Sequence, residues 1–305
     1  MVTPVATCQW ISLREALTAF VRCEAGTQSA RHIKPLHWYV ACRLVIEGGF
    51  RPDDITPRPP FTVRFQNQRW ILEHDSNSGG SGERTILGGL KTKAVDVVVT
   101  KDGLGPVMAV SMKGTLNAFR NLTNRMEEAV GDCTNLHIAY PALVYGFLQV
   151  MRATREGPGA ESNDVAISRD GQVEKSIRRY HNVLARLANR EDVRAETTKY
   201  EAVALALVDP DPPSEGEVIA TFPPADSSLL LDDFFEKLYS QYDQRFIYAA
   251  PALETITRRL EWASESPVMA DPRVEEYTPR VANPESSPSG SHREGTPRRG
   301  RRRVP

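Results

Sequence analysis

The sequence predicts an α/β fold in which a mixed central sheet is flanked by helices. The first observation is a β-branched run at residues 94–100, followed by a turn at 101–105 and a second apolar run at 106–113. This pattern is typical of a β-hairpin. The second observation is a helical pattern at 115–131, followed by an apolar segment at 136–140 that is predicted as a strand. Strand, strand, helix and strand in this order favour mixed pairing.

Two helices and a short hairpin are predicted before this unit. Ser12 and Glu15 have the spacing of a capping box and begin the first helix. The second helix begins near Pro35 and ends at two glycines, and its apolar residues point in nearly every direction. Such a helix is covered on more than one side. Residues 61–65 and 69–72 are predicted as short strands.

The second half of the chain predicts a helical C-terminal elaboration. Helices are expected at 173–190, 229–242 and 252–264, with one strand at 200–208. From 266 to 305 the composition changes to Pro, Ser, Gly, Glu and Arg. Such a segment buries too little apolar surface to order itself, so we expect a disordered tail after a single domain over residues 1–265.

Composition excludes several classes of protein. Apolar residues make up 40% and charged residues 25% of the chain, which excludes global disorder, collagen and coiled coil. The 38 basic and 39 acidic side chains nearly cancel, so a polyanion must be held by a local patch. One uncharged run is densely apolar only over 138–147, half of the roughly 20 residues that a membrane helix needs. The scattered cysteines suit reduced thiols, so we expect a cytoplasmic protein with no membrane partner.

The hairpin carries the candidate catalytic residues. Asp96 lies in its first strand, and Ser111 and Lys113 lie two residues apart on one face of its second strand. A carboxylate at the end of a buried sheet suits Mg²⁺, which prefers oxygen ligands. The lysine orients the attacking water and stabilises the phosphate. This pair of charges is suited to phosphodiester hydrolysis.

A second acid is expected on the helix that follows Lys113. On a helical wheel, Glu127 lies near the angle of Leu116, at the edge of the buried arc, while Glu128 and Arg125 point away. The sequence therefore predicts Asp96 and Glu127 as metal ligands, with Lys113 between them.

This set resembles the PD-(D/E)XK nuclease superfamily, in which an aspartate on one strand precedes acid-x-lysine on the next. Here Ser111-Met112-Lys113 has serine in place of the second acid. The sequence is more similar to the restriction endonucleases that cut CCGG-type sites, which have serine-x-lysine and an acid on the following helix. Thirteen residues separate Lys113 from Glu127, which is the spacing of that group.

The resemblance implies a restriction-endonuclease-like core at about residues 61–150 and a type II restriction endonuclease. It further implies that Mg²⁺ is the cofactor, with Mn²⁺ as a substitute, that the substrate is double-stranded DNA and that the protein is a homodimer or homotetramer. Ser111 is expected to orient the catalytic set by hydrogen bonding.

Basic and polar residues near this set are candidates for contacts with DNA. They are Lys91, Lys93, Asn117, Arg120 and Arg125. Glu24, which continues the apolar face of the first helix, is an auxiliary candidate for metal or water binding, although a solvent-exposed helix end is the alternative. The group Arg31, His32, Lys34 and His37 at the start of the second helix is either a phosphate site or a solvated basic turn.

Other interpretations of the same residues stay open. Asp96 on an exposed edge hairpin, Lys113 at a solvated strand end, and Glu127 paired on a helix surface are the structural alternatives. Two functional alternatives remain as well. One is a repair or recombination nuclease with the same core, and the other is a non-catalytic DNA-binding protein built on a decayed nuclease fold.

Overall fold

The computed structural model describes residues 6–23, 32–116 and 121–282. The strands in this part of the chain are β1 (Ile55–Thr56), β2 (Phe61–Gln66), β3 (Arg69–His74), β4 (Arg84–Leu87), β5 (Thr92–Val95), β6 (Val97–Lys101), β7 (Gly105–Thr115), β8 (Val144–Arg152) and β9 (Ala202–Val208). The α-helices are α1 (Leu13–Val21), α2 (Lys34–Ile46), α3 (Leu122–Ala139), α4 (Lys175–Leu187), α5 (Leu231–Tyr242) and α6 (Glu254–Thr257).

Five of the strands form the central sheet in the order β1-β6-β7-β8-β9. The pairs β1–β6 and β6–β7 are antiparallel, whereas β7–β8 and β8–β9 are parallel. Helix α3 makes the crossover between the parallel strands β7 and β8, as parallel pairing requires. The predicted α/β fold with a mixed sheet flanked by helices is confirmed.

Alternating residues of the sheet enter two separate apolar layers. Val97 and Val99 of β6 pack in one layer with α1, α2 and α5, whereas Val98 packs in the other with α3 and α4. This alternation follows from the two-residue period of a strand. Because both faces are covered, strands β7, β8 and β9 are apolar along almost their whole length.

The N-terminal predictions are confirmed at nearly the predicted bounds. Ser12 and Glu15 form the capping box of α1, with both reciprocal hydrogen bonds present. Helix α2 has Pro35 in its first turn and is buried on most sides. Strands β2 and β3 form an antiparallel hairpin whose two-residue turn is Asn67 and Gln68.

Two elements around α3 differ from the prediction. Residues 136–140, predicted as a strand, belong mostly to the last turn of α3, and the strand begins only at Val144. A short apolar run has no periodicity that distinguishes strand from helix, and here Leu136 continues the buried helical face of Ala129 and Cys133. The predicted helix start is also wrong, because Thr115 still belongs to β7.

An unpredicted hairpin, β4–β5, precedes the central sheet. Its strands pair with Arg84 opposite Val95. The β-branched run predicted as one strand is therefore divided, since β5 ends at Val95, β6 begins at Val97, and Asp96 alone lies between them. At this residue the chain passes from a two-stranded outer sheet into the five-stranded central sheet.

The C-terminal region differs most from expectation. The helix predicted at 252–264 is reduced to the four residues of α6. The disorder expected from residue 266 onward is wrong for 266–282, because Val268 and Tyr277 are buried and two 3₁₀ turns lie in this segment. The rest of the predicted tail, 283–305, lies outside the described residues.

In the described part of the chain, no helix combines the length and the apolar character needed to cross a membrane. All four cysteines are free thiols.

Candidate active site

Asp96 lies at the junction of β5 and β6 with its carboxylate directed toward β7. Its Oδ2 accepts a hydrogen bond of 2.7 Å from the backbone N–H of Met112, and its side chain is 19% exposed. Burial raises the pKa of Asp96 to about 6, against the opposing effects of the Met112 N–H and of Lys113. Asp96 is therefore a largely buried acid beside the predicted lysine.

Ser111 and Lys113 project from β7 toward the layer that contains α3. Ser111 Oγ shares a buried hydrogen bond of 2.7 Å with the hydroxyl of Tyr145 on β8. Lys113 Nζ donates a hydrogen bond of 2.7 Å to Glu128 Oε1. The structure thus brings Asp96, Ser111 and Lys113 to one end of the β6–β7 hairpin, as the sequence predicted.

A buried glutamine on the next strand holds the backbone of this lysine. Gln149 of β8 lies opposite Lys113 in the parallel register. Its Nε2 donates to the carbonyl oxygen of Lys113 and to Thr115 Oγ1, both at 3.1 Å. Because Gln149 is fully buried, it fixes the strand from which the lysine projects.

Both Glu127 and Glu128 are exposed, and the acid that contacts Lys113 is Glu128. The expectation that Glu128 points away is therefore wrong. This expectation came from a helical wheel that included Leu116. Leu116 precedes the helix, because α3 begins only at Leu122. Burial alone raises the pKa of Glu128, but the hydrogen bond and charge of Lys113 outweigh it and lower this pKa below its usual value. Glu128 is ionised at neutral pH.

The two lysines predicted to contact DNA lie next to a buried acid of α3. Lys93 Nζ forms an ion pair with Asp132 Oδ2, and the Nζ of Lys91 lies 3.7 Å from Asp132 Oδ1. The side chain of Lys91 is 65% exposed and that of Lys93 only 17%. Lys91 is consequently the one of the two that is accessible to a phosphate.

The remaining predicted residues are only partly placed. Arg125 lies half-buried on α3, and its Nε has no hydrogen-bond partner among the described residues. Three other candidates lie outside the described residues: Glu24, Asn117 and Arg120.

On the side of Asp96 away from Lys113, two further residues approach its carboxylate. His37 of α2 is buried, and its Nε2 lies 3.7 Å from Asp96 Oδ1. Glu83 precedes Arg84, which pairs with Val95, so the hairpin register carries Glu83 opposite Asp96. One ligand atom from each of His37, Glu83 and Asp96 lies within 4.8 Å of the others. This donor set fits a divalent cation.

His37 is not the solvated residue of a basic turn. Burial lowers the pKa of His37 to about 4, although the nearby charge of Glu83 opposes this shift. The imidazole is therefore neutral at pH 7 and retains a lone pair for bonding. Its Nε2 has no hydrogen-bond partner among the described residues.

Four residues of this site are not predicted by the sequence pattern. Glu83, Glu128, Asp132 and Gln149 were not selected, and His37 was given another role. In the sequence, β4 could be detected only from an alternation of apolar and polar residues. This signal is weak, because the strand has a single buried residue, Ile86. Asp132 and Gln149 are charged or polar residues within apolar surroundings. Such a residue usually has a hydrogen-bond or ion-pair partner, so its position is itself a signal.

No protein-family model, curated protein or solved structure matches this chain.

Proposed function

We propose that this protein is a metal-dependent endonuclease that hydrolyses phosphodiester bonds of double-stranded DNA. The observation that carries the proposal is the convergence of Asp96 at the β5–β6 junction, Lys113 on β7 and Glu128 on α3. Asp96 accepts a hydrogen bond from Met112, the residue before the lysine, and Glu128 is bonded to the lysine itself. Glu128, and not the predicted Glu127, is therefore the acid of α3 that we place beside the lysine.

Each group has a distinct part in this reaction. Asp96 would hold a divalent cation, expected to be Mg²⁺, which would supply positive charge to stabilise the phosphate oxygens and to acidify water. The ammonium group of Lys113 binds a phosphate oxygen and stabilises the charge that develops on it. Glu128, an ionised carboxylate bonded to Lys113, holds the ammonium group in position for this contact. Ser111 holds Tyr145 against β7 and keeps the strand in register.

The proposal extends to a restriction-type enzyme. Two basic residues lie along α3 near Lys113 and Glu128: Lys91, whose ammonium group is exposed, and the partly buried Arg125. We propose that they bind phosphates of the DNA backbone. Cleavage of both strands at one sequence would require two copies of the site, so a homodimer or homotetramer is the form that we propose.

The first test is cleavage of phage genomic DNA in Mg²⁺ and in EDTA by the wild-type chain and two variants. Lys113→Gln removes the proposed catalytic cation. Lys237→Gln is its matched control, because the two side chains are 30% and 31% exposed and each is paired with an acid. We expect Lys113→Gln to slow cleavage by about 100-fold or more and Lys237→Gln to leave it unchanged.

The products distinguish the proposal from its alternatives. Discrete fragments that require metal indicate a site-specific endonuclease, whereas a metal-dependent smear retains nuclease chemistry and contradicts the restriction role. Intact DNA with Mg²⁺ and with Mn²⁺, from several DNA sources, would overturn the enzyme and favour a non-catalytic DNA-binding protein. A folded Lys113→Gln variant that cleaves at the wild-type rate would overturn the assigned site.

A further inference from the structure

We propose that His37, Glu83 and Asp96 form one metal site, and that its imidazole ligand makes the site bind Mn²⁺ in preference to Mg²⁺. The inference deepens the proposed function, on which the catalytic meaning of the metal rests. It also replaces the predicted ligand pair of Asp96 and Glu127, because the exposed Glu127 side chain is not part of this group.

Three separate elements bring the ligands together. Asp96 is held by the Met112 N–H through Oδ2, which leaves Oδ1 directed toward His37. Glu83 immediately precedes Arg84, which pairs with Val95, so Glu83 lies opposite Asp96. His37 comes from α2, which is anchored in the apolar layer on one face of the sheet. His37 and Asp96 are therefore held by packing and by a hydrogen bond to a paired strand, and the exposed Glu83 adjoins the paired end of β4.

The imidazole of His37 is the observation that points to a ligand. The residue is 3% exposed, and its Nε2 has no hydrogen-bond partner in the described ranges. A buried polar atom without a partner costs free energy. The 3.7 Å separation from Asp96 Oδ1 is too long for a hydrogen bond. A cation that binds both atoms satisfies the nitrogen and neutralises the carboxylates.

A second buried histidine, His137, also has an Nε2 without a hydrogen-bond partner among the described residues, and it differs from His37 in the charges around it. His137 is also buried, and its Nε2 lies 3.6 Å from Glu201 Oε2. There, however, two arginines, Arg190 and Arg245, neutralise the carboxylate at 3.0 and 2.7 Å. The His37 group has two carboxylates, and no arginine or lysine forms a salt bridge with Asp96 or Glu83 among the described residues. The His37 group therefore has the charge for a cation, and the His137 group does not.

The ligand types determine which cation suits the site. Mg²⁺ binds oxygen ligands almost exclusively and loses its water reluctantly. Mn²⁺ also binds carboxylates, but it is a softer first-row ion for which an imidazole is an acceptable ligand. One nitrogen and two carboxylate ligands, with the open side filled by water or phosphate, therefore favour Mn²⁺.

The test measures metal binding without DNA. The full-length chain is titrated with Mn²⁺ and followed by electron paramagnetic resonance, and Mg²⁺ is then added as a competitor. A directly bound imidazole gives nitrogen hyperfine coupling, which changes when the protein is labelled with ¹⁵N-histidine. We expect this coupling in the wild-type protein, together with a dissociation constant for Mn²⁺ that is at least about tenfold lower than that for Mg²⁺.

Variants assign the coupling to a residue. His37→Gln should abolish the nitrogen coupling and weaken Mn²⁺ binding by about tenfold or more. Substitution of groups around a bound metal usually lowers the metal affinity by at least this factor. His137→Gln is the matched control, because it removes an equally buried histidine and should change neither quantity. The spectrum of the wild-type protein needs no variant, so a His37→Gln chain that fails to fold does not decide the result.

The outcomes separate this inference from the proposed function. Mn²⁺ binding without nitrogen coupling, or no Mn²⁺ binding at all, would overturn the His37 site, while metal-dependent DNA cleavage in the same preparation would still support the nuclease. Conversely, nitrogen-coupled Mn²⁺ on a protein that leaves every DNA intact would support the metal site and overturn the nuclease.

Discussion

At the scale of single residues, two adjacent glutamates of α3 differ in what they contact. Both are exposed, and Glu128 is bonded to Lys113. We expect Glu128→Gln to slow single-turnover DNA cleavage by about 100-fold, because a catalytic group such as Lys113 loses about this much when it is no longer held in position. The matched variant Glu127→Gln should cleave within about twofold of wild type, since a surface charge that forms no ion pair with a described residue contributes little. If Glu127→Gln cleaved more slowly than Glu128→Gln, Glu127 and not Glu128 would be the acid of the active site.

A second residue-scale prediction concerns the buried acid Glu201. Its Oε1 accepts from Arg190 and Arg245, and its Oε2 accepts from the N–H of Tyr145 at 2.6 Å. Burial alone raises the pKa of Glu201, but His137, Arg245 and this N–H outweigh it and lower the pKa below its usual value. The stabilisation is therefore fully present above the unfolded-state pKa and is lost as the pH falls through the folded-state pKa.

We accordingly expect Glu201→Gln to lower the free energy of unfolding at pH 7 by about 3 kcal/mol, as when a buried ion pair loses one partner. The difference from wild type should shrink as the pH falls below about 4.3, the unfolded-state pKa. Urea unfolding from pH 7 to pH 3 measures it. Glu265→Gln, which breaks an exposed pair with Arg69, should show a much smaller trend, because solvent screens this pair. A difference that grows toward low pH would contradict the assigned sign.

Residue types predicted part of the site and not the rest. Asp96, Ser111 and Lys113 could be found because one hairpin determines their relation. His37 and Glu83 could not, because α2 and the β4–β5 hairpin meet Asp96 only in the folded chain, at separations of 59 and 13 residues that no local pattern encodes. Nothing in the sequence distinguishes Glu127 from Glu128 without the helix register.

At the scale of elements, the same limit explains the errors around α3. The helix was expected to begin at Thr115, but β7 is bonded to β8 as far as the Thr115–Met151 pair. Tertiary pairing therefore extends the strand into a stretch whose local pattern favours helix. At its other end α3 runs through residues 136–139, where helical packing on Ala129 and Cys133 prevails over the apolar strand pattern.

The β2–β3 hairpin allows a prediction about turn chemistry. Its turn residues Asn67 and Gln68 have φ of 50° and 61°, which is the left-handed region that asparagine tolerates and glutamine disfavours. Gln68→Gly should raise the free energy of unfolding by about 0.5–1 kcal/mol, because glycine relieves this strain. Thermal and urea unfolding measure the gain.

The control for this prediction is Gln66→Gly, at the exposed last residue of β2, which pairs with Arg69. There glycine relieves no strain and adds only freedom to the unfolded chain, so stability should fall. A loss of stability in Gln68→Gly as well would contradict the left-handed turn.

At the scale of the whole molecule, the C-terminal strap (residues 260–282) binds the N-terminal half of the protein. The strap's first N–H, that of Leu260, donates to Gly49 O, and the N–H of Arg280 donates to Ile46 O. Gly49 has φ +67°, and a Cβ there would meet Leu260 O at 2.2 Å. The indole of Trp262 donates to Val45 O at 2.9 Å. The strap therefore fixes the end of α2, the helix that carries His37.

This role of the strap predicts opposite results for two truncations. A chain that ends at 265 loses the buried Val268 and Tyr277, the stacking of Arg273 on the Trp10 ring at 4.0 Å, and the bond from Thr278 N–H to Glu47. Burial of two such side chains alone contributes about 3–6 kcal/mol, a large part of the stability of a typical domain. The chain that ends at 282 retains all of these contacts.

We therefore expect the chain ending at 265 to be unfolded or to melt far below wild type, and the chain ending at 282 to melt within a few degrees of it. Circular dichroism melts of both measure this. Mn²⁺ titrations add a second measurement, since loss of the strap releases the end of α2 and should weaken metal binding wherever the shorter chain still folds. Equal melting temperatures for the two chains would show that the composition-based boundary at 265 was right, and that the strap contacts contribute little to stability.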